Sequence, residues 1–359
     1  MVAHVVVIGA GVYGAAVAAS LARRGARVTV VDAAEPGGGT SGATFSWTNS
    51  CGKQPRTYHD LNVAGMRAHR RLAAAVPHSD WYHETGNLEW AATDTALASL
   101  RAKVDGVLDY GYEAHWLTRA EALDLEPDLD PAALPDDGIA WFPREGWVAP
   151  TRLIGHLLAR AGAQVVRGDA VTGLEVAGGA VRTVRLSSGW RAAVDAVVDC
   201  AGPRAARVAE LAGLALPMRN TRGVLVCTPP VAVAVGRVVH APHVHLRPDG
   251  GGRLLLHDPE DVAADGGAAT AVVEAARALY PGIGAATAES VRVGERPIPE
   301  DGLPVLGRVV ELPNFHFAVS HSGATLSLHA GDLVAAEVLG EDVGDALAPF
   351  RFERFTTVH

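Results

Sequence analysis

Residues His4 to Ile8 form a continuous β-branched run that ends in Gly9-Ala10-Gly11-Val12-Tyr13-Gly14, and this junction constrains the fold more than any other feature of the chain. Such a run reads as a strand buried on both faces of a parallel sheet. From Val12 to Arg24 the pattern turns Ala-rich and helical, closes on Arg23-Arg24-Gly25, and leads to a second apolar run, Val28-Thr29-Val30-Val31, ending at Asp32. This is a βαβ unit with GxGxxG at its first turn. Gly9 makes the tight turn, Gly11 lets a pyrophosphate approach the backbone, and Gly14 lets helix and strand pack closely. The helix N-terminus then offers N–H groups and a positive dipole end to phosphates. Asp32 lies 18 residues beyond Gly14, where a carboxylate can accept hydrogen bonds from both ribose hydroxyls. Strand, helix and acid together predict a dinucleotide site.

The stretch Glu35-Pro36-Gly37-Gly38-Gly39-Thr40-Ser41-Gly42 is too glycine-rich for regular structure, and the polar segment after it carries one large aromatic, Trp47. Composition alone fits either a surface loop or a backbone passing close to the cofactor. Residues 58–75 read as a helix, and segment 76–145, richer in Trp, Pro and acidic residues, as the start of a second domain. Helical pattern resumes after Val148-Ala149-Pro150-Thr151 and is followed by a strand at Gln164-Val165-Val166. Val184 and Leu186 then alternate with Thr183 and Arg185 in a meander. The run Ala196-Val197-Val198-Asp199-Cys200-Ala201-Gly202 is another buried strand ending in small residues, so the first domain is re-entered there. Residues 206–290 are dominated by strands.

Within that segment the turn Pro248-Asp249-Gly250-Gly251-Gly252 joins two alternating runs. A five-residue loop would set Arg247 opposite Arg253, His245 opposite Leu255 and His243 opposite His257. Val244, Leu246, Leu254 and Leu256 would face the core. His243, His245, Arg247, Arg253, Leu255 and His257 would form a polar wall suited to a substrate cavity. No carboxylate or cysteine stands at ligand spacing from His240, His243 and His245, so no metal site is expected. Further on, Arg296 sits in a loop braced by Pro297, Pro299 and Pro304, and arginine suits a carboxylate that must be held bidentately. A strand at Phe315-His316-Phe317-Ala318-Val319 leads through Ser320-His321-Ser322-Gly323-Ala324-Thr325 into a last helix, whose N-terminus could face a second anionic group.

With 31 Lys+Arg against 40 Asp+Glu the net charge is −9, a poor match for phosphate backbones or anionic membranes. Mean hydropathy is +0.14 with no long uncharged apolar window, so neither membrane insertion nor a disordered chain is expected. Three widely spaced cysteines, Cys51, Cys200 and Cys227, suggest neither disulfides nor zinc, and a cytoplasmic location fits best.

Two strand-to-glycine turns at opposite ends of the chain suit an extended FAD better than a nicotinamide cofactor on a contiguous domain. The sequence resembles the FAD-dependent amine and amino-acid oxidoreductases of the D-amino-acid oxidase superfamily, particularly the glycine oxidase, sarcosine oxidase and D-amino-acid dehydrogenase branch. The residues that carry the likeness are Val7 to Gly14, Thr40-Ser41-Gly42, Gly146-Trp147-Val148-Ala149-Pro150, Val197 to Gly202, Arg296-Pro297 with Asp301 to Gly307, and Pro349 to Phe355. The fold so implied is α/β, a Rossmann-like FAD-binding domain (1–75, 146–205 and 291–359) interleaved with a mixed-sheet α+β substrate domain (76–145 and 206–290).

The resemblance assigns FAD contacts to Gly9, Gly11, Val12, Tyr13, Gly14, Asp32, Thr40, Ser41, Phe45, Ser46, Val171, Ala201, Gly202, Arg296, Gly323, Ala324 and Thr325. It makes Arg296 the holder of the substrate carboxylate and puts Trp47 in the loop beside the flavin; Trp47, with His243 and His245 of the polar wall, is a further candidate substrate contact. None of the three cysteines lies near the Arg-Pro motif where sarcosine oxidase-like members tether flavin, so FAD is expected to be non-covalent. The implied reaction is oxidation of a C–N bond in an amino acid or N-alkyl amino acid, with His257, His243 or His321 available to take the amine proton and His257 and His321 the foremost candidates. Leu255 falls about where the oxidases carry a lysine linked to oxygen activation, which leaves the acceptor open between O2 and another oxidant. The rival readings are a flavin-dependent tailoring oxidation of a substrate without a free carboxylate, a nicotinamide dehydrogenase, and a non-catalytic flavoprotein.

Overall fold

The computed structural model describes residues 2–258 and 266–356. Its first layer is a six-stranded sheet in the order Val305–Arg308, Phe315–Val319, Ala196–Asp199, His4–Ile8, Arg27–Val31, Gln164–Val166. The pairs are parallel, with Val7 opposite Val30 on one side and Val198 on the other, except the antiparallel edge strand Val305–Arg308. Val5, Val6 and Val7 have no exposed surface, which is why β-branched residues run through this strand without alternation. Val5 and Val7 pack with Tyr13, Val17, Leu21 and Val334 on the face covered by helices Val12–Arg23 and Gly323–Val338. Val6, Ile8 and Val197 pack on the opposite face with Leu174, Val184 and Leu186 of a three-stranded meander.

The second layer is an eight-stranded sheet in the order Ser290–Arg296, Thr221–Cys227, Leu254–His257, Val244–Pro248, Val238–Ala241, Asn87–Glu89, Ile139–Phe142, His115–Leu117. Here residues alternate. Val224, Val226, Leu246 and Leu256 are buried with Val272, Val273 and Tyr280 beneath the helix Gly266–Leu279 and the turn after it. The residues between them in sequence, including His245, His257 and Leu225, turn to the other face.

Two expectations need correction. The hairpin loop is Asp249 to Arg253, one place further along than the spacing suggests, and Pro248 pairs with Leu254. His245 therefore faces His257 and Arg247 faces Leu255. The proline closes the ladder at a place that asks no N–H of it. Because the pairing moves by two, an even number, His245, Arg247, Leu255 and His257 keep one face and Val244, Leu246, Leu254 and Leu256 the other, whereas Arg253, expected on the polar wall, falls in the loop and pairs with Glu289. The second correction concerns Arg296, which ends the strand Ser290–Arg296 and pairs with Thr221 instead of lying in a loop. That strand hydrogen-bonds within the larger sheet although it falls inside the expected 291–359 segment.

Candidate active site

The first turn is built where side chains have no room. Gly9 has φ +103°, and a Cβ there would lie 2.4 Å from the Cys200 carbonyl oxygen; at Gly14 it would lie 1.8 Å from the Gly9 oxygen. The helix Val12–Arg23 has no side-chain cap of its own. Its cap comes from the glycine-rich loop instead, where Ser41 Oγ accepts the Val12 N–H at 3.1 Å. Thr40 Oγ1 donates to the Glu295 carbonyl at 2.5 Å, tying the same loop to the edge of the second sheet. Asp32 ends its strand with Oδ2 accepting from Ala10 N–H at 2.6 Å and Oδ1 from Ala34 N–H at 2.8 Å. Each oxygen keeps a second lone pair for a ribose hydroxyl.

Three cavities run from this turn to the second sheet. One of about 570 Å³ is lined by Gly9, Asp32, Val171, Ala201 and Arg204. A second, of about 420 Å³, shares Gly9, Asp32, Ala201 and Arg204 and adds Gly11, Ser41, Pro297 and Gly323. The third, of about 340 Å³, shares Thr40, Pro297, His321 and Ala324 with the second and reaches Phe45, Trp47, His245, His257 and Arg296. Small residues, two helix N-termini and a carboxylate fit an extended dinucleotide. Gly9, Gly11, Val12, Tyr13, Asp32, Thr40, Ser41, Ala201, Gly202, Gly323 and Ala324 all line the second cavity, whereas Gly14 supports the turn from behind. Phe45, Ser46 and Thr325 border the third.

The third cavity has a wall of stacked rings. His240, His245 and His257 stand opposite one another on three successive strands. Trp47 and His240 have ring centroids 4.1 Å apart, His240 and His245 4.2 Å, and His245 and His257 5.6 Å. Burial pushes His245 down to about 3, with His257 and Lys103 lowering it further, and it drives His240 well below the usual imidazole range. Burial thus favours the uncharged imidazole in both, and an imidazole so lowered is a poor proton acceptor. Arg296 donates from a guanidinium nitrogen to His257 Nε2 at 2.7 Å, so that nitrogen carries no proton. A Cβ on Gly223 would lie 2.4 Å from the same guanidinium, so the neighbouring strand is hollowed to receive it.

Two buried ionisable groups set the segment between the cavities. Arg247, 2% exposed, donates to the Phe45 carbonyl at 2.7 Å and Ser46 Oγ at 3.1 Å, pairs with Asp249 at 2.9 Å, and stacks 4.4 Å from the Trp147 ring. Burial lowers it to about 10 against the pull of Asp249, which leaves it protonated. Ser46, held in this way, has φ +55°, rare for a residue with a side chain. Glu145 is fully buried; its Oε1 accepts from Ser50 N–H, Cys51 N–H and Tyr112 OH, and its Oε2 from Trp47 Nε1 and Asn87 Nδ2. Burial pushes it up to about 7, although its donors favour the charged form. Asn87 Oδ1 in turn meets His240 Nδ1 at 2.6 Å. Glu145 thus joins Trp47, the Ser50-Cys51 turn and the histidine row in one network, and sequence reasoning missed it.

His243 is a further correction. It lies at the exposed turn between Val238–Ala241 and Val244–Pro248 and borders a separate cavity of about 460 Å³ with Trp90 and Lys103. The two-place shift of the hairpin removes it from His257. His321 is exposed and lines both the second and third cavities. Lys53 also lines the third cavity, and nothing in its sequence surroundings marks it.

Residues 4–337 match the model of the family described as FAD dependent oxidoreductase, and the chain belongs to that family. It is 28% identical to the glycine oxidase of Geobacillus kaustophilus over 98% of this chain and 96% of that protein. The crystal structure of glycine oxidase from that organism superposes with a TM-score of 0.87 at 27% identity, covering 98% of this chain and 99% of the other. The structure of iminodiacetate oxidase from Chelativorans sp. BNC1 gives a TM-score of 0.83 at 25% identity, covering 97% and 98%. The protein is therefore an FAD-dependent oxidoreductase.

Proposed function

We propose that this FAD-dependent oxidoreductase converts the C–N bond of an amino acid or N-alkyl amino acid to an imine, which water then hydrolyses. The observation that carries the reading is Arg296, a guanidinium fixed by His257 and the hollow at Gly223 and opening into the cavity that adjoins the dinucleotide cradle. The names of the glycine oxidase and iminodiacetate oxidase relatives point the same way.

Two-electron acceptance at N5 of the isoalloxazine is the chemistry FAD supplies when bound. The residues of the chain do the rest. Gly9, Gly11, Ser41 and Asp32 hold the dinucleotide part, with the cofactor role assigned to 1–75, 146–205 and the chain beyond Arg296. Arg296 receives the substrate carboxylate and fixes the α-carbon relative to the cradle. The N-terminus of the helix Gly323–Val338 borders both the second and third cavities and favours negative charge developing there. The neutral His240 and His245 line the wall without adding positive charge that would repel an amine. His257 Nε2 is occupied by Arg296, so it takes a proton at that atom only when the guanidinium moves to a substrate carboxylate; an amine that binds deprotonated needs no base. Phe45, whose carbonyl accepts from Arg247, and Trp47, which donates to Glu145, form part of the cavity wall.

The test is the visible spectrum of the purified protein, recorded anaerobically during addition of glycine, sarcosine, proline and D- and L-amino acids. Bleaching of the flavin bands by one of these classes is expected. Inertness to all of them, with FAD bound, would overturn the reading in favour of a substrate without a free carboxylate. Re-oxidation on admitting air separates oxidase from dehydrogenase.

A further inference from the structure

The third cavity carries a second cation. Resting on the amino-acid reading above, we propose that Lys53 anchors a second carboxylate of the substrate, so that the preferred substrates are aminodicarboxylic acids or N-carboxymethyl amino acids. Lys53 and Arg296 line one cavity of about 340 Å³, and its described lining includes no Asp or Glu. Burial favours the uncharged imidazole in His240 and His245 of the same lining. Two cations that share a partly desolvated space repel each other, and a dianion offsets that repulsion where a monocarboxylate leaves one ammonium unmatched.

The lysine is also held in place. Its backbone N–H donates to the Ser50 carbonyl at 3.3 Å, and the turn that carries it, with Gly52 at φ +69°, is clamped where Ser50 and Cys51 N–H donate to Glu145 Oε1 at 3.1 and 3.0 Å. Its Nζ lies 5.7 Å from the ring centroid of Tyr58, whose hydroxyl meets Ser322 Oγ at 2.6 Å beside the last helix. Glu145, with no exposed surface of its own, thereby fixes a cation on one side of the cavity while the eight-stranded sheet fixes Arg296 on the other.

Two readouts test this on the FAD-loaded protein. In the first, anaerobic flavin reduction compares aspartate with alanine, glutamate with norvaline, and iminodiacetate with sarcosine. In the second, perturbation of the flavin bands by non-oxidisable succinate and malonate is compared with butyrate and propionate. The dicarboxylate of each pair is expected to bind on the order of tenfold more tightly. Lys53→Met should collapse that ratio toward one and Lys53→Arg should keep it. Equal affinity within the pairs for the unaltered protein, or a ratio unchanged in Lys53→Met, overturns the proposal. If no amine reduces the flavin while succinate still binds in a Lys53-dependent way, the C–N oxidation reading falls and the anion anchor stands.

Discussion

The dinucleotide cradle and the histidine wall meet at Pro297, yet they are made of different materials. The cradle is backbone: glycines at positions where a Cβ would strike a carbonyl, and N–H groups capped from a distant loop. The wall is side chains, stacked across strands whose partners come from residues 45–53, 87, 112, 145, 240–257 and 296. A backbone site tolerates almost no substitution and says little about what it binds beyond shape. A side-chain site can be changed residue by residue, each change altering what the cavity prefers. In this family member the cradle would hold the shared cofactor and the wall would select the substrate.

The largest expected effect breaks the cradle. Gly14→Ala places a Cβ 1.8 Å from the Gly9 oxygen, and we expect a loss of about 3 kcal/mol or more together with the flavin. Flavin absorbance per chain and the melting temperature check it, and full flavin content in the variant would remove the cradle's dependence on bare backbone. Next is Arg296→Met, which should leave flavin bound but raise KM for carboxylated substrates by roughly 10²- to 10³-fold, because a buried carboxylate loses its partner. Steady-state kinetics decide it; an unchanged KM sinks the assignment.

A smaller effect sharpens the contrast through pH. Glu145 is pushed up to about 7 and Asp199 to about 8, both chiefly by burial. A carboxyl with a raised folded-state pKa binds its proton more tightly when folded, so its contribution to stability is complete below the ordinary carboxylate range and is lost as pH rises through the folded value. The melting temperature should therefore fall between about pH 5 and 8 from these two groups, and Glu145→Gln or Asp199→Asn should flatten the fall. A slope untouched by either substitution would deny them this role. The smallest effect is His243→Ala, which should change stability by less than about 0.5 kcal/mol and KM by less than about twofold, since the residue lies on an exposed turn outside the third cavity. A large rise in KM would return His243 to the wall.

These differences explain what could be read from the sequence. A backbone turn demands glycine at set spacing and an acid at the next strand end, so the first thirty-two residues disclose the cradle. Alternation discloses which residues share a face, and His245, Arg247 and His257 keep theirs. Alternation does not disclose register: Pro248 joins the ladder, the loop moves one place, and His243 is carried away from His257. Arg296 pairs with Thr221 at the end of its strand, and Gly223 two places along the partner leaves room for its guanidinium, a fact of the partner strand that its own prolines hide. Glu145 escapes notice for the same reason, as its donors come from positions 47, 50, 51, 87 and 112.

Arg296 and Pro297 are consecutive residues, one in the third cavity and the next shared by the second and third. The backbone that carries the carboxylate anchor is thus joined to the cofactor site by a single peptide unit, at the end of a strand paired along its length. A longer substrate would share the third cavity with Phe45, Trp47 and Lys53, so variation in chain length is expected to register against those residues.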